Sequence, residues 1–319
     1  MSRKSNYTNA IILDGKSYNL TLLCGVDFMI IRLGKFEATI FCSLIIFVSF
    51  IGAISYENKS TATIAQTQSV KLPIIMYHHI TEDENKAGKY TVTTDEFEND
   101  LENIVSKGYT AVTVQELIDY VKHGKSLPEK PIMITFDDGF ESFYYLAFPL
   151  LKEHNMKSVV SVIGSVTEKY SKINDHNINY SNLTFDEINE LKSSALVEIQ
   201  NHSYDMHNNS TDKRKGISKL KNETNKEYSY NLNNDLNKMQ EILWNNCEIK
   251  PTAVAYPYGA YSKDTLEIVK SCGFECTMLC EERINLITQG NTESLYNLGR
   301  YNRPSGVSTE VFFKNILEN

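Results

Sequence analysis

Residues 131–140 read Pro131-Ile-Met-Ile-Thr-Phe-Asp-Asp-Gly-Phe140. Ile132 to Phe136 has the length and residue type of a strand buried on both faces of a parallel sheet. It runs directly into two adjacent carboxylates, Asp137 and Asp138, and then Gly139. Two like charges side by side in a buried place are unfavourable unless a proton or cation compensates them. A strand that delivers an Asp pair at its carboxyl end, with a glycine to turn the chain, points to a catalytic metal site. Alone, the segment reads equally well as an acidic turn after a core strand, and its context has to decide.

Working outward, the chain alternates strand and helix patterns. Upstream, Pro73-Ile-Ile-Met-Tyr77 is a short buried strand ending in His78 and His79. Phe97, Leu101, Ile104 and Val105 give helical spacing over 94–107, closed by Gly108. Thr113-Val-Gln-Glu116 is a capping box that opens a second helix ending near Gly124. Downstream, 142–154 reads as a helix that Pro149 kinks, and 158–163 as a β-branched strand. Thr184-Phe-Asp-Glu187 opens a further helix, and 197–200 is a strand leading into Asn201-His202-Ser203-Tyr204-Asp205-Met206-His207. Residues 208–229 read as a long polar surface loop, 232–244 as a helix, and 252–255 as a strand ending in Tyr256-Pro257-Tyr258-Gly259. Ser262 caps a helix to Ser271, and 274–279 is the next strand. This alternation predicts a parallel α/β architecture.

The amino-terminal part differs. Residues 1–37 are polar and mixed, and are expected to form a cytoplasmic segment. Residues 38–54 carry no charge and are mostly Ile, Phe, Leu, Val, Ser and Ala, within the range of a membrane helix of ~20 residues. Basic residues before it place the amino terminus in the cytoplasm. It reads as a signal anchor or a cleaved signal peptide, with Met29 as an alternative start and Ala53-Ile54-Ser55 as a weak cleavage site. Residues 55–71 form a polar linker, and 72–319 the catalytic domain. The domain is expected outside the cell, held at the membrane or secreted. The net charge of −8 over 319 residues, with no long basic run, argues against a nucleic-acid partner. Cys272, Cys276 and Cys280 recur every four residues, but a helix end intervenes at Gly273. Free thiols or one disulfide, with Cys247 available, fit better than a thiolate metal site.

Four motifs share one position, the end of a predicted strand: His78-His79, Asp137-Asp138, His202 with His207, and Tyr256-Pro-Tyr-Gly. In parallel α/β barrels the carboxyl ends of the strands share one face, where active sites form. A lone histidine there is usually a structural hydrogen-bonder; the convergence is what indicates a metal site. On a helix, His202 and His207 would lie ~140° apart around the axis and could not share an ion, so the chain must turn between them. His154 and His176 lie outside these motifs and are not expected to hold metal.

At these residues the sequence resembles the polysaccharide deacetylases, carbohydrate esterase family 4 with the NodB-type domain. Thr135-Phe-Asp-Asp-Gly139 matches the family's first motif. His202-Ser-Tyr-Asp-Met-His207 and Met76-Tyr-His-His79 are similar to the branch acting on poly-N-acetylglucosamine. The resemblance implies a distorted (β/α) barrel preceded by the membrane segment. It implies Asp137 as catalytic base and Asp138, His202 and His207 as ligands of a divalent metal, Zn²⁺ first with Ni²⁺ or Co²⁺ as alternatives. It further implies His78 as acid, the Tyr256 backbone N–H as oxyanion donor, and Tyr77, His79, Pro257 and Tyr258 as substrate contacts. The family's third motif carries an Arg that this chain lacks before Tyr256-Pro-Tyr-Gly; Arg300 is the candidate replacement that steadies Asp137. The implied activity is removal of N-acetyl groups from an extracellular amino-sugar polymer, poly-N-acetylglucosamine or peptidoglycan. Chitin oligomers, xylan esters, a catalytically lapsed wall-binding module and an unrelated phosphoesterase are the alternatives.

Overall fold

The strand at Pro131–Phe136 is buried at every residue and occupies the middle of the principal sheet. The computed structural model describes residues 10–14, 17–24, 27–33, 68–173, 175–209 and 214–317. It divides into two units, Met1–Gln66 and Thr67–Asn319. In the first, Ala10–Asp14, Ser17–Cys24 and Asp27–Leu33 form an antiparallel three-stranded sheet with registers Ala10↔Thr21 and Tyr18↔Leu33. The sequence reading assigns no strand there: it takes 1–37 as polar and mixed, and passes over the short apolar runs that form these strands. The expected membrane segment, 38–54, lies outside the described residues. Among the described residues no helix is long and apolar enough to cross a membrane.

The principal sheet of the second unit has eight strands: β1 (Ile74–Tyr77), β2 (Thr110–Ala111), β3 (Pro131–Phe136), β4 (Ser158–Val162), β5 (Val197–Asn201), β6 (Ala253–Ala255), β7 (Cys276–Met278) and β8 (Tyr301–Asn302). Their spatial order is β7-β6-β5-β4-β3-β1-β8, with β2 paired to the first residues of β3. Every pairing is parallel. One segment touches both edges: Leu298 bridges Met278 of β7, and three residues later Tyr301 pairs with Ile75 of β1. The parallel α/β architecture is the one expected from the strand and helix alternation, and it takes the distorted-barrel form that the family resemblance implies, closed by 298–302 rather than by a full-length strand.

Capping boxes start four of the helices, at Thr93/Glu96, Thr113/Glu116, Thr184/Glu187 and Thr224/Glu227. Each cap contributes about 1 kcal/mol. The last box corrects the sequence reading of 208–229 as loop. The helix runs over Asn225–Cys247, and Tyr228 and Leu232 already face the core. The segment after the Asp pair also differs from the expected kinked helix. Phe143–Ala147 is a wider turn with i→i+5 bonds, and the α-helix Phe148–Glu153 carries Pro149 in its first turn, where no amide is missed. Cys247, Cys272, Cys276 and Cys280 are all free thiols.

Candidate active site

The turn after β3 is built around two consecutive left-handed residues, Asp138 (φ 70°) and Gly139 (φ 67°). A Cβ on Gly139 would lie 2.8 Å from Val162 Cγ1 at the end of β4, so glycine is required both for the backbone and for the close approach. Asp138 has a Cβ, and its strained backbone is held from outside. Asn182 Nδ2 donates to the Asp138 carbonyl at 2.8 Å, and the Leu183 amide donates to the Gly139 carbonyl at 2.8 Å. The turn re-aims Asp138 away from the direction of Asp137.

Asp138 meets the two histidines that follow β5. Its Oδ1 lies 3.4 Å from His202 Nε2 and 3.0 Å from His207 Nε2. The other ring nitrogens are engaged. His202 Nδ1 donates to the Ala255 carbonyl at 2.8 Å, and His207 Nδ1 pairs with the Tyr258 hydroxyl at 3.1 Å. A carbonyl can only accept, so His202 Nδ1 carries the hydrogen, and in the neutral ring its Nε2 presents a lone pair towards Asp138. A proton or a cation between these groups compensates the charge gathered there. Burial alone would push Asp138 up and His202 down. The imidazoles outweigh burial and hold Asp138 far below the ordinary carboxylate range, while the carboxylates of Asp137 and Asp138 hold His202 above the ordinary histidine range. One carboxylate oxygen and two imidazole nitrogens within 4.8 Å of one another fit a divalent cation with open positions. The five-residue spacing works because Ser203 adopts φ 70° and turns the chain between the histidines.

Asp137 lies behind this group, buried and paired to one cation. Arg300 Nη1 and Nη2 reach its two oxygens at 2.7 and 2.6 Å, and Arg300 Nε donates to the Leu279 carbonyl at 2.8 Å. Both side chains are sealed from solvent. Burial pushes Asp137 up, yet Arg300, His202 and His78 together hold it below the ordinary range, ionised at neutral pH. Arg300 arrives on the segment that closes the barrel between β7 and β1. A fold-closing element therefore delivers the guanidinium.

The remaining predicted residues divide. His78 follows β1 and lines the same cleft, a cavity of about 910 Å³, with its Nδ1 buried and without a hydrogen-bond partner. Burial lowers its pKa, opposed by Asp137 and Asp138. His79 also lines the cleft, but its Nε2 donates to the Ile178 carbonyl at 2.8 Å, which gives it a role in holding a loop. Tyr77 is not a substrate contact: it is buried between Phe97 and Phe136, and its hydroxyl donates to Asp100 at 2.9 Å. Pro257 is buried too. The Tyr256 backbone N–H is committed to the Met278 carbonyl at 2.9 Å in the β6–β7 pairing, so it is not free to hold an oxyanion. Two residues on, Tyr258 opens to the cleft at 40% exposure. Its amide is the second in a one-turn helix (Pro257–Gly259), where no intrahelical carbonyl can reach it. The sequence reading also passes over Tyr90, half-exposed and in edge contact with His78 at 5.0 Å between ring centroids. No local pattern marks it, because only the fold brings it to the cleft.

The polysaccharide deacetylase family model matches residues 124–277. This chain carries a polysaccharide deacetylase domain. The proteins most similar in sequence include the poly-beta-1,6-N-acetyl-D-glucosamine N-deacetylase of Staphylococcus aureus strain MRSA252, 30% identical over 195 residues that make up 61% of this chain and 62% of that protein. The protein of the same name from Escherichia coli K12 is 25% identical over 260 residues, 76% of this chain and 38% of that one. The chain thus spans less than two thirds of the length of these relatives. Among solved structures, a de-N-acetylase from Aggregatibacter actinomycetemcomitans superposes with TM-score 0.65 at 24% identity, covering 78% of this chain and 99% of that one. IcaB from Ammonifex degensii superposes with TM-score 0.61 at 24% identity, covering 74% and 92%. Both establish the fold of the deacetylase domain. The matched span holds Asp137, Asp138, His202, His207 and Tyr258; His78 and Arg300 lie on either side of it.

Proposed function

We propose that this deacetylase removes N-acetyl groups from an extracellular amino-sugar polymer of the poly-β-1,6-N-acetylglucosamine type, with a divalent cation held by Asp138, His202 and His207. The observation that carries the reading is the pairing of two differently compensated carboxylates. Arg300 neutralises Asp137 from behind, whereas Asp138 faces two imidazole Nε2 atoms. Zn²⁺, with Ni²⁺ or Co²⁺ as alternatives, would supply a Lewis acid for the acetyl carbonyl and lower the pKa of a water beside it. Asp137, kept ionised by Arg300, takes the proton from the attacking water. The Tyr258 amide, which has no intrahelical partner, donates to the oxygen that gains charge as the carbonyl becomes tetrahedral. His78 gives a proton to the amine as the carbon–nitrogen bond breaks, leaving acetate and a free amino sugar; a lowered pKa makes its protonated form a stronger acid. The rings of Tyr90 and Tyr258 offer faces on which sugars stack. The choice of polymer rests on the names of the relatives.

Acetate release from a panel of polymers tests this. Poly-β-1,6-N-acetylglucosamine is expected to be deacetylated faster than chitin oligomers, peptidoglycan or acetylated xylan. Asp137→Asn is expected to keep its metal and lose 10²–10⁴-fold in rate, the usual range for a general base. Full activity in that variant would remove Asp137 from the mechanism. Polymer binding without acetate release by the wild-type chain would select the lapsed binding module instead.

A further inference from the structure

A second group of metal-competent side chains lies outside the proposed reaction. Glu141, three residues past Asp138, is completely buried, and Glu187 in the first turn of the helix Phe185–Ser193 is 7% exposed. His176 comes from the loop before that helix. Ligand atoms of the three lie within 4.8 Å of one another. His176 Nδ1 stands 2.6 Å from Glu141 Oε1. Glu187 Oε2 is committed to its cap, accepting from the Thr184 amide at 2.8 Å and the Thr184 hydroxyl at 2.9 Å. What remains is Glu141 Oε2 and Glu187 Oε1, both closed to solvent and both without a hydrogen-bond partner.

Buried carboxylate oxygens without donors are costly, and native folds compensate them. One imidazolium supplies a single positive charge against two carboxylates. Burial, helped by the neighbouring Glu187, keeps the Glu141 carboxyl above its ordinary range despite the contact with His176. A divalent cation would balance both acids and occupy both orphaned oxygens.

We propose that Glu141, His176 and Glu187 form a second divalent-cation site, separate from Asp138, His202 and His207, that fastens the 175–183 loop to the catalytic turn. One imidazole nitrogen with carboxylate oxygens suits Zn²⁺ or Mn²⁺ better than Ca²⁺, which prefers an all-oxygen shell. The half-exposed His176 side leaves a route for entry and for water to complete the shell. The loop it would hold touches the cleft at several points. The Ile178 carbonyl accepts from His79, Asn179 Oδ1 accepts from Lys86 at 2.7 Å, and Asn182 supports the strained Asp138 carbonyl. The second ion is therefore a brace for the turn that aims Asp138. This proposal departs from the expectation that His176 holds no metal, because only the fold brings it beside two acids distant in sequence.

The test is metal stoichiometry, which does not depend on turnover. The full chain is stripped with chelator, titrated with Zn²⁺ by calorimetry, and its bound metal counted by mass spectrometry after desalting. Wild type is expected to bind two equivalents, His176→Ala one, His207→Ala one, and the double variant none. Glu141→Gln should match His176→Ala; should its buried change prevent folding, the half-exposed His176 position decides alone. A single equivalent in wild type, lost in His207→Ala and kept in His176→Ala, overturns the second site and leaves the first intact.

Discussion

Arg300 has its guanidinium on both oxygens of Asp137, with neither side chain open to water. Removing one partner of such a pair strands the other as an uncompensated buried charge. Arg300→Met takes away the strongest influence holding Asp137 down against burial, so the carboxyl pKa rises. The base then protonates at higher pH. The expected outcome is an acid limb of kcat/KM shifted to higher pH in Arg300→Met, a smaller shift in Arg300→Lys, and a fall in kcat in both. An unmoved acid limb in Arg300→Met would show that Arg300 does not tune the base. At this scale the sequence discloses Asp137, Asp138 and His202, because each follows a strand end and strand ends share one face, and His207 through its place in the turn after β5. It misplaces Tyr77, Pro257 and the Tyr256 amide for one physical reason. Whether a residue next to a strand end faces the cleft or the core depends on neighbours from other segments: Phe97 and Phe136 for Tyr77, and Met278 for the amide.

At the scale of elements, the turn between β3 and the wide helical turn carries the site. Gly139→Ala would force a left-handed φ of 67° on a residue with a Cβ and press that Cβ against Val162. A loss of about 1–3 kcal/mol is expected from the strain, read as a lowered Tm together with weaker Zn²⁺ binding; unchanged values of both would contradict this account of the turn. The helix Asn225–Cys247 gives a second case. Arg214 Nη1 and Nη2 hold Glu223 at 2.9 and 2.5 Å just before its cap, with Asn231 Nδ2 at 2.8 Å. Burial pushes the Glu223 carboxyl up, but these donors bring it down to about 2 from 4.5. A folded-state pKa below the unfolded one stabilises above the unfolded value, and the gain fades as pH falls through the folded value. Glu223→Gln is therefore expected to melt below wild type at pH 7, with the gap narrowing as pH falls from 4.5 towards 2. A gap independent of pH would mean that the ion pair does not contribute through its charge. The early start of this helix is hard to see in the sequence, because its first turn is polar outside and only Tyr228 marks the inner face.

For the molecule as a whole, closure is the decisive event. The alternation of strands and helices is visible in the sequence, and with it the parallel α/β class; the barrel follows from the family resemblance. The closing segment is not, because β8 is two residues long and carries no periodicity. Its register is fixed by polar contacts instead. The Arg303 amide donates to the Met76 carbonyl, and its side chain reaches Asp100 through Nε at 2.7 Å and Nη2 at 3.1 Å. Tyr77 and Thr309 complete the shell around Asp100 at 2.9 and 2.7 Å. Arg303→Met would leave Asp100 buried with no cation, removing the main influence that opposes the rise in its pKa on burial. A loss of about 3–5 kcal/mol is expected, with reduced activity because Arg300 rides on the same segment; denaturant melts and acetate assays read the two effects. The most direct measurement is acetate released from poly-β-1,6-N-acetylglucosamine by the full chain before chelator, after chelator, and after Zn²⁺ is restored. The account requires release, loss and recovery in that order, and steady release through chelation that strips the ion bound at Asp138, His202 and His207 would contradict it.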